Sequence, residues 1–125
     1  MDKKKRVVIV DDEKEFTALV KEALEGTGKY EVTEANEGFE GLGVIKKCCP
    51  NLVLLDLMLP GIDGSNVAVQ LKELEATKNI PVVFLTAAVT LEEIEAQMGS
   101  IGGHIFLAKP VGIRELIECV DENAR

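Results

Sequence analysis

Short apolar runs alternate with segments of helical period from one end of this chain to the other, and that alternation confines it to an α/β fold with a parallel sheet. The runs Val7-Val8-Ile9-Val10 and Leu52-Val53-Leu54-Leu55 are apolar at every position, so both faces of their strands must be covered, as happens when helices lie on each side of a sheet. Each run is followed by enough residues for a helical crossover, which parallel neighbours require.

Five such units are predicted. Residues 7–10 form a short buried strand, and Phe16, Leu19, Val20, Ala23 and Leu24 then fall at helical spacing, with Gly26 to Gly28 ending the helix. Residues 30–35 alternate Tyr30 and Val32 with Glu31 and Thr33, as suits a less buried strand at or near an edge. A second helix over about residues 38–47 puts Phe39, Leu42 and Ile45 on one face. It also contains Gly41 and Gly43, each costing about 1 kcal/mol relative to alanine, which makes it the softest of the set.

Residues 52–56 form the third strand, and Val67, Leu71 and Leu74 carry the third helix. A fourth strand over residues 81–85 ends at Thr86, and a helix over about residues 91–98 follows. Ile101-Gly102-Gly103 turns the chain into a fifth strand, residues 104–107, and Ile113, Leu116, Ile117 and Val120 mark a final amphipathic helix. At 125 residues this is a single domain that buries roughly two-thirds of the surface its unfolded chain exposes.

The formal net charge of −8 repels nucleic-acid phosphates and anionic lipid, so direct nucleic-acid or membrane binding is not expected. Lys3-Lys4-Lys5-Arg6 reads as the solvated start of the first strand rather than as a basic arm. No signal peptide or membrane-spanning run is evident, which gives a cytoplasmic expectation. Cys48, Cys49 and Cys119 lack metal-site or disulfide spacing and read as reduced thiols, and His104 reads as a loop or edge residue without chemistry.

Parallel strands all point one way, so the residues just after them gather at one edge, where open α/β sheets bind ligands. Asp11 and Asp12 follow the first strand, Asp56 ends the third, Thr86 ends the fourth and Lys109 follows the fifth. Alone, Asp11 and Asp12 read as helix caps, Asp56 as a turn residue, Thr86 as a strand-end hydroxyl and Lys109 as a surface cation. Together, three carboxylates and one ammonium leave two uncompensated negative charges, which a divalent cation neutralises; an all-oxygen site suits Mg²⁺ or Mn²⁺. Asp56 can then act as a nucleophile toward a phosphoryl group, with the metal, Lys109 and the Thr86 hydroxyl stabilising its oxygens.

The segments Val7-Val8-Ile9-Val10-Asp11-Asp12-Glu13, Leu54-Leu55-Asp56-Leu57-Met58-Leu59-Pro60-Gly61-Ile62-Asp63-Gly64, Leu85-Thr86-Ala87 and Phe106-Leu107-Ala108-Lys109-Pro110, in this order, resemble the response-regulator receiver domain of two-component signalling over essentially the whole chain. The resemblance implies a doubly wound, flavodoxin-like (βα)5 domain over residues 1–125, with strand order 2-1-3-4-5 and a cis Lys109-Pro110 bond; as the sequence stops just after the last helix, no output domain is expected, whether the receiver is free-standing or cut from a hybrid kinase or a transcription factor. It implies that Asp56 accepts a phosphoryl group from a kinase phosphohistidine, with Asp12 and Asp56 binding Mg²⁺ directly and Asp11 through water. Met58 contributes its backbone carbonyl, Lys109 pairs with the phosphoryl group, and Thr86 and Phe106 form the switch. The partners implied are a histidine kinase or phosphotransfer protein, and a downstream protein on the face of the fourth helix, fifth strand and last helix.

Some positions depart from the family pattern. Phe106 stands where tyrosine is frequent and so lacks a hydroxyl, Val111 replaces a larger ring after Lys109-Pro110, and Gly41 and Gly43 are unusual in the second helix. Met58 and Ala88, two residues beyond Asp56 and Thr86, cannot orient an attacking water, so slow self-dephosphorylation is expected. The chain is therefore read as a switch that catalyses only its own phosphorylation and dephosphorylation. Two alternatives are an aspartate-nucleophile phosphohydrolase of the haloacid dehalogenase type, disfavoured by Met58 where a second acid belongs, and a degenerate receiver that works without phosphorylation.

Overall fold

The computed structural model describes residues 3–87 and 105–125. Its elements are β1 (Lys5–Val10), α1 (Lys14–Gly26), β2 (Tyr30–Ala35), α2 (Gly38–Cys48), β3 (Leu52–Asp56), α3 (Gly64–Glu73), β4 (Val82–Thr86), β5 (Ile105–Ala108) and α4 (Ile113–Asn123). The expected helix over residues 91–98, together with His104 and Ala88, lies outside the described residues.

All five strands are parallel, in the order β2-β1-β3-β4-β5, which is the doubly wound order implied by the resemblance. Strand alternation splits the core into two layers. Val7, Ile9, Leu52, Leu54, Val83, Leu85 and Leu107 pack with Val20 and Leu24 of α1 and with Leu116, Cys119 and Val120 of α4. Val8, Val10, Val53, Leu55, Val82 and Phe84 pack on the opposite face with Leu42 and Ile45 of α2 and with Val67, Ala68 and Leu71 of α3.

β1 begins two residues earlier than its apolar run suggested, because exposed Lys5 and Arg6 pair with Tyr30 and Glu31 through backbone alone. β5 is shifted one residue later than expected. The edge position of β2 follows the sequence reading, and its first residues are fastened to α4: Asp121 Oδ1 accepts from Tyr30 Oη at 2.5 Å and from Lys29 Nζ at 2.7 Å. Burial, reinforced by the Asp121 carboxylate, pushes the Tyr30 phenol well above its ordinary range.

Three helix residues expected in the core are exposed. The buried stripe of α1 runs through Thr17, Val20 and Leu24, which leaves Leu19 about one-third of a turn outside it. In α2 the stripe is Gly38, Gly41, Leu42 and Ile45, so Phe39 is carried outward. Leu74 is the residue at which α3 has already ended.

The α2 glycines differ in kind. A Cβ on Gly41 would lie 2.7 Å from both Cγ atoms of Val10, so the missing side chain is what lets the helix sit against β1. Gly43 is exposed and has nothing within 4 Å of that position. Gly41→Ala is accordingly expected to lower unfolding free energy by about 1–3 kcal/mol through overpacking. Gly43→Ala should raise it by about 0.5–1 kcal/mol through helix propensity. Urea denaturation of the two variants measures both effects.

Candidate functional site

The C-terminal edge of the sheet collects the residues that follow β1, β3, β4 and β5. β1 pairs with β3 up to Val10↔Leu55, β3 with β4 up to Asp56↔Leu85, and β4 with β5 up to Thr86↔Ala108, so the next residues arrive together. The chain leaves β1 through Asp11, whose amide still donates to Ala35 of β2 at 3.0 Å. It leaves β5 through Lys109, whose amide donates to the Thr86 carbonyl at 2.8 Å, and a cis bond then joins Lys109 to Pro110.

Asp11 is fully buried, Asp56 is buried, and Asp12 is exposed. One carboxylate oxygen from each lies within 4.8 Å of the others. Such a donor set, all hard oxygen and all anionic, fits a divalent cation of the Mg²⁺ or Mn²⁺ type.

Lys109 stands against two of these acids. Its Nζ donates to Asp11 Oδ2 at 2.7 Å and to Asp56 Oδ2 at 3.3 Å, and it lies 5.1 Å from the centroid of the Phe16 ring. A third acceptor is Glu13 Oε1 at 2.8 Å. The remaining Asp56 oxygen, Oδ1, accepts from the Met58 amide at 3.0 Å, and Asp11 Oδ1 accepts from the Glu13 amide at 2.9 Å.

These distances decide the protonation energetics. Burial raises the Asp56 pKa, the Met58 amide opposes it, Asp11 adds repulsion and Lys109 opposes again; burial and repulsion prevail and the carboxyl sits above its ordinary range. For Lys109, burial alone would lower the pKa. Hydrogen bonds to Asp11 and Glu13, with the charges of Asp11 and Asp56, outweigh that, and the ammonium is held above its ordinary range. The lysine is closer to Asp11 than to Asp56, so its opposing effect on Asp56 does not offset burial.

Thr86 is fully buried at the end of β4. Phe106, half-buried on β5, stacks on Phe84 with ring centroids 5.5 Å apart. Around the acids runs an open crevice lined by Phe16, Leu19, Met58, Ala87, Pro110 and Val111, so exposed apolar side chains border the charged centre.

All the sequence-predicted residues described here thus arrive at this edge, with Phe106 one strand to its side. Two participants were not singled out. Glu13 follows Asp12 at the end of the first strand's motif, but nothing local links it to Lys109, 96 residues away. Gly64 is the other: a Cβ there would meet the Asp56 carbonyl oxygen at 2.1 Å, so only glycine lets the loop after β3 fold back onto the strand end. Its signal was a glycine at the start of a helix, where small size rather than helix propensity decides.

Residues 7–121 match the family model described as the response regulator receiver domain. The DNA-binding dual master transcriptional regulator RpaA of Synechocystis sp. is 36% identical over 112 residues, 90% of this chain and 46% of that protein. The phosphate regulon transcriptional regulatory protein PhoB of Pseudomonas aeruginosa is 39% identical over 113 residues, 90% of this chain and 48% of that protein. The chain spans about half the length of these curated relatives. Among solved structures, a putative response regulator from Chloroflexus aurantiacus is 32% identical, with a TM-score of 0.85 over 96% of this chain and 97% of that one.

The raised Asp56 pKa has a consequence for stability. A carboxyl whose pKa is higher folded than unfolded binds its proton more tightly in the fold, so its contribution favours folding below the unfolded value of about 3.9 and is withdrawn as pH rises through the folded value. Asp56→Asn should therefore raise the melting temperature at pH 7 to 8 by a few degrees. The advantage should shrink as the pH falls through the carboxylate range, measured by circular dichroism in metal-free buffer.

Proposed function

This chain belongs to the response regulator receiver domain family, and on that footing we propose that it is a phosphoacceptor switch in which Asp56 takes a phosphoryl group from a histidine kinase or phosphotransfer protein. The observation that carries the reading is the meeting of Lys109 Nζ with the Asp56 carboxylate at 3.3 Å, inside a cluster of acids at the sheet's C-terminal edge. A carboxylate oxygen of Asp56 forms a bond to the donor's phosphorus. The bond from phosphorus to the histidine ring nitrogen breaks, and its electron pair returns to the ring.

Asp12 and Asp56 would hold Mg²⁺, or Mn²⁺, directly, with Asp11 acting through water and Met58 through its backbone carbonyl. The bound cation supplies neutralisation of the charge that builds on the phosphoryl oxygens. The chain's own part is positioning. The Met58 amide holds one Asp56 oxygen, Lys109 supplies an ammonium to the phosphoryl group, and Gly64 keeps the loop after β3 closed on the strand end.

In this reading the signal leaves the site through Thr86 and Phe106. The buried Thr86 hydroxyl turns toward the phosphoryl group, and Phe106 moves inward along Phe84. Lacking a hydroxyl, Phe106 signals by packing alone. The downstream protein docks on the face that includes β5 and α4, and no nucleic acid is bound directly, in keeping with the net charge of −8. The chain turns over no substrate beyond its own phosphorylation and dephosphorylation. It works in the cytoplasm, where its three free thiols stay reduced. No helix among the described residues is long and apolar enough to cross a membrane.

Treatment with acetyl phosphate and Mg²⁺, followed by intact-mass analysis, should add one phosphoryl group to the wild type and none to Asp56→Asn. Lys109→Ala should slow the gain by about 10²-fold, the weight of one charge-stabilising donor. An unmodified wild type would favour phosphorylation-independent binding instead. With Met58 exposed and carrying no group able to orient water, the phosphorylated state is expected to persist for minutes or longer after the donor is removed. A half-life of seconds would contradict that.

A further inference from the structure

Glu13 occupies the position that precedes α1 and has the extended backbone of a helix N-cap, with φ −86° and ψ 100°. An acid there ordinarily accepts from the free amides of the first turn, a bond whose loss costs about 0.5–2 kcal/mol. The Glu13 side chain makes no such bond. Its carboxylate instead reaches across the sheet edge to Lys109, at 2.8 Å.

The Lys109 ammonium has three N–H donors, and three carboxylates accept them: Asp11 at 2.7 Å, Glu13 at 2.8 Å and Asp56 at 3.3 Å. The longest of the three is the one made to Asp56. Asp11 cannot relax this arrangement, because it is fully buried and its second oxygen is held by the Glu13 amide. Backbone and side chain of Glu13 thus join Asp11 and Lys109 into a closed ring of hydrogen bonds. The ring and the Phe16 face beneath the ammonium hold Nζ on the β1 side of the crevice.

We propose that Glu13 is a positioning residue for Lys109: a tether that keeps one ammonium N–H engaged in the resting state and releases it when a phosphoryl group arrives at Asp56. The inference rests on the reading of Asp56 as phosphoacceptor. Glu13 has the properties such a tether requires. Its carboxylate side chain is 63% exposed, so water replaces the lost partner at little cost, whereas buried Asp11 has no such freedom. The exchange swaps one charge-assisted hydrogen bond for another of the same kind, from carboxylate to phosphoryl oxygen.

Two substitutions separate the tether from the bare charge. Glu13→Gln removes the charge; Glu13→Asp keeps the charge but shortens the arm by one methylene, so it loses Lys109. In metal-free protein, the Lys109 Nζ signal in ¹⁵N-detected lysine spectra should be resolved in the wild type, where three acceptors slow proton exchange. It should shift and broaden in both variants. In phosphorylation by acetyl phosphate at saturating Mg²⁺, both variants should lower the apparent KM about two- to fivefold, the weight of a single exposed ion pair, with kcat unchanged.

An unchanged Lys109 signal in Glu13→Gln overturns the tether. So does a Glu13→Asp variant that keeps the wild-type KM while Glu13→Gln does not, since the effect would then be charge alone. If the wild type takes up no phosphoryl group, the phosphoacceptor reading fails by itself, and the spectra still report whether Glu13 holds the lysine.

Discussion

One ammonium shared among three carboxylates sets the electrostatics of this site. Lys109 reaches Asp11, Glu13 and Asp56, which come from the end of β1, the cap of α1 and the end of β3. Close packing of the strands forces buried Asp11 and Asp56 together, and a single cation cannot neutralise them, Asp12 and Glu13 at once. Of the three acids that Lys109 reaches, Asp56 has the longest contact. Burial, with added repulsion from Asp11, raises the Asp56 pKa above its ordinary range. A divalent cation held by the acid cluster would add the positive charge that Lys109 alone does not supply.

The sheet makes this arrangement precise. β3, β4 and the last four residues of β1 are buried between two helical layers, so their C-terminal ends do not shift independently. Thr86 and Asp56 lie on adjacent strands, and the Lys109 amide is bonded to the Thr86 carbonyl. β5 lies beside that strand end, and its Phe106 stacks on Phe84. Backbone pairing and one aromatic contact thus connect the Asp56 end of the sheet with β5.

Much of this was legible in the sequence, for physical reasons. Val7 to Val10 and Leu52 to Leu55 are apolar on both faces, which only strands inside a doubly covered sheet tolerate, and parallel topology then brings Asp11, Asp56, Thr86 and Lys109 to one edge. Helix faces were less legible. Leu19 and Phe39 are apolar yet exposed, because Thr17 in α1 and Gly38 and Gly41 in α2 occupy the inward stripe instead. A threonine that bonds its own helix through the Lys14 carbonyl is buried without carrying any apolar signal. The roles of Glu13 and Gly64 were hidden for another reason. Their importance lies in contacts made across the fold, to Lys109 and to the Asp56 carbonyl, which local pattern does not specify even where, as at Gly64, a glycine opens a helix.

The central claim is that the acid cluster at the sheet edge is a divalent-cation site organised around Asp56. Its most direct test is the melting temperature as Mg²⁺ is titrated into metal-free protein, for the wild type and for Asp56→Asn. A ligand that binds only the folded state raises stability in proportion to the logarithm of its concentration above Kd. The account predicts such a rise for the wild type and a much weaker one for the variant. A flat wild-type curve, or an equal rise in both proteins, would contradict it.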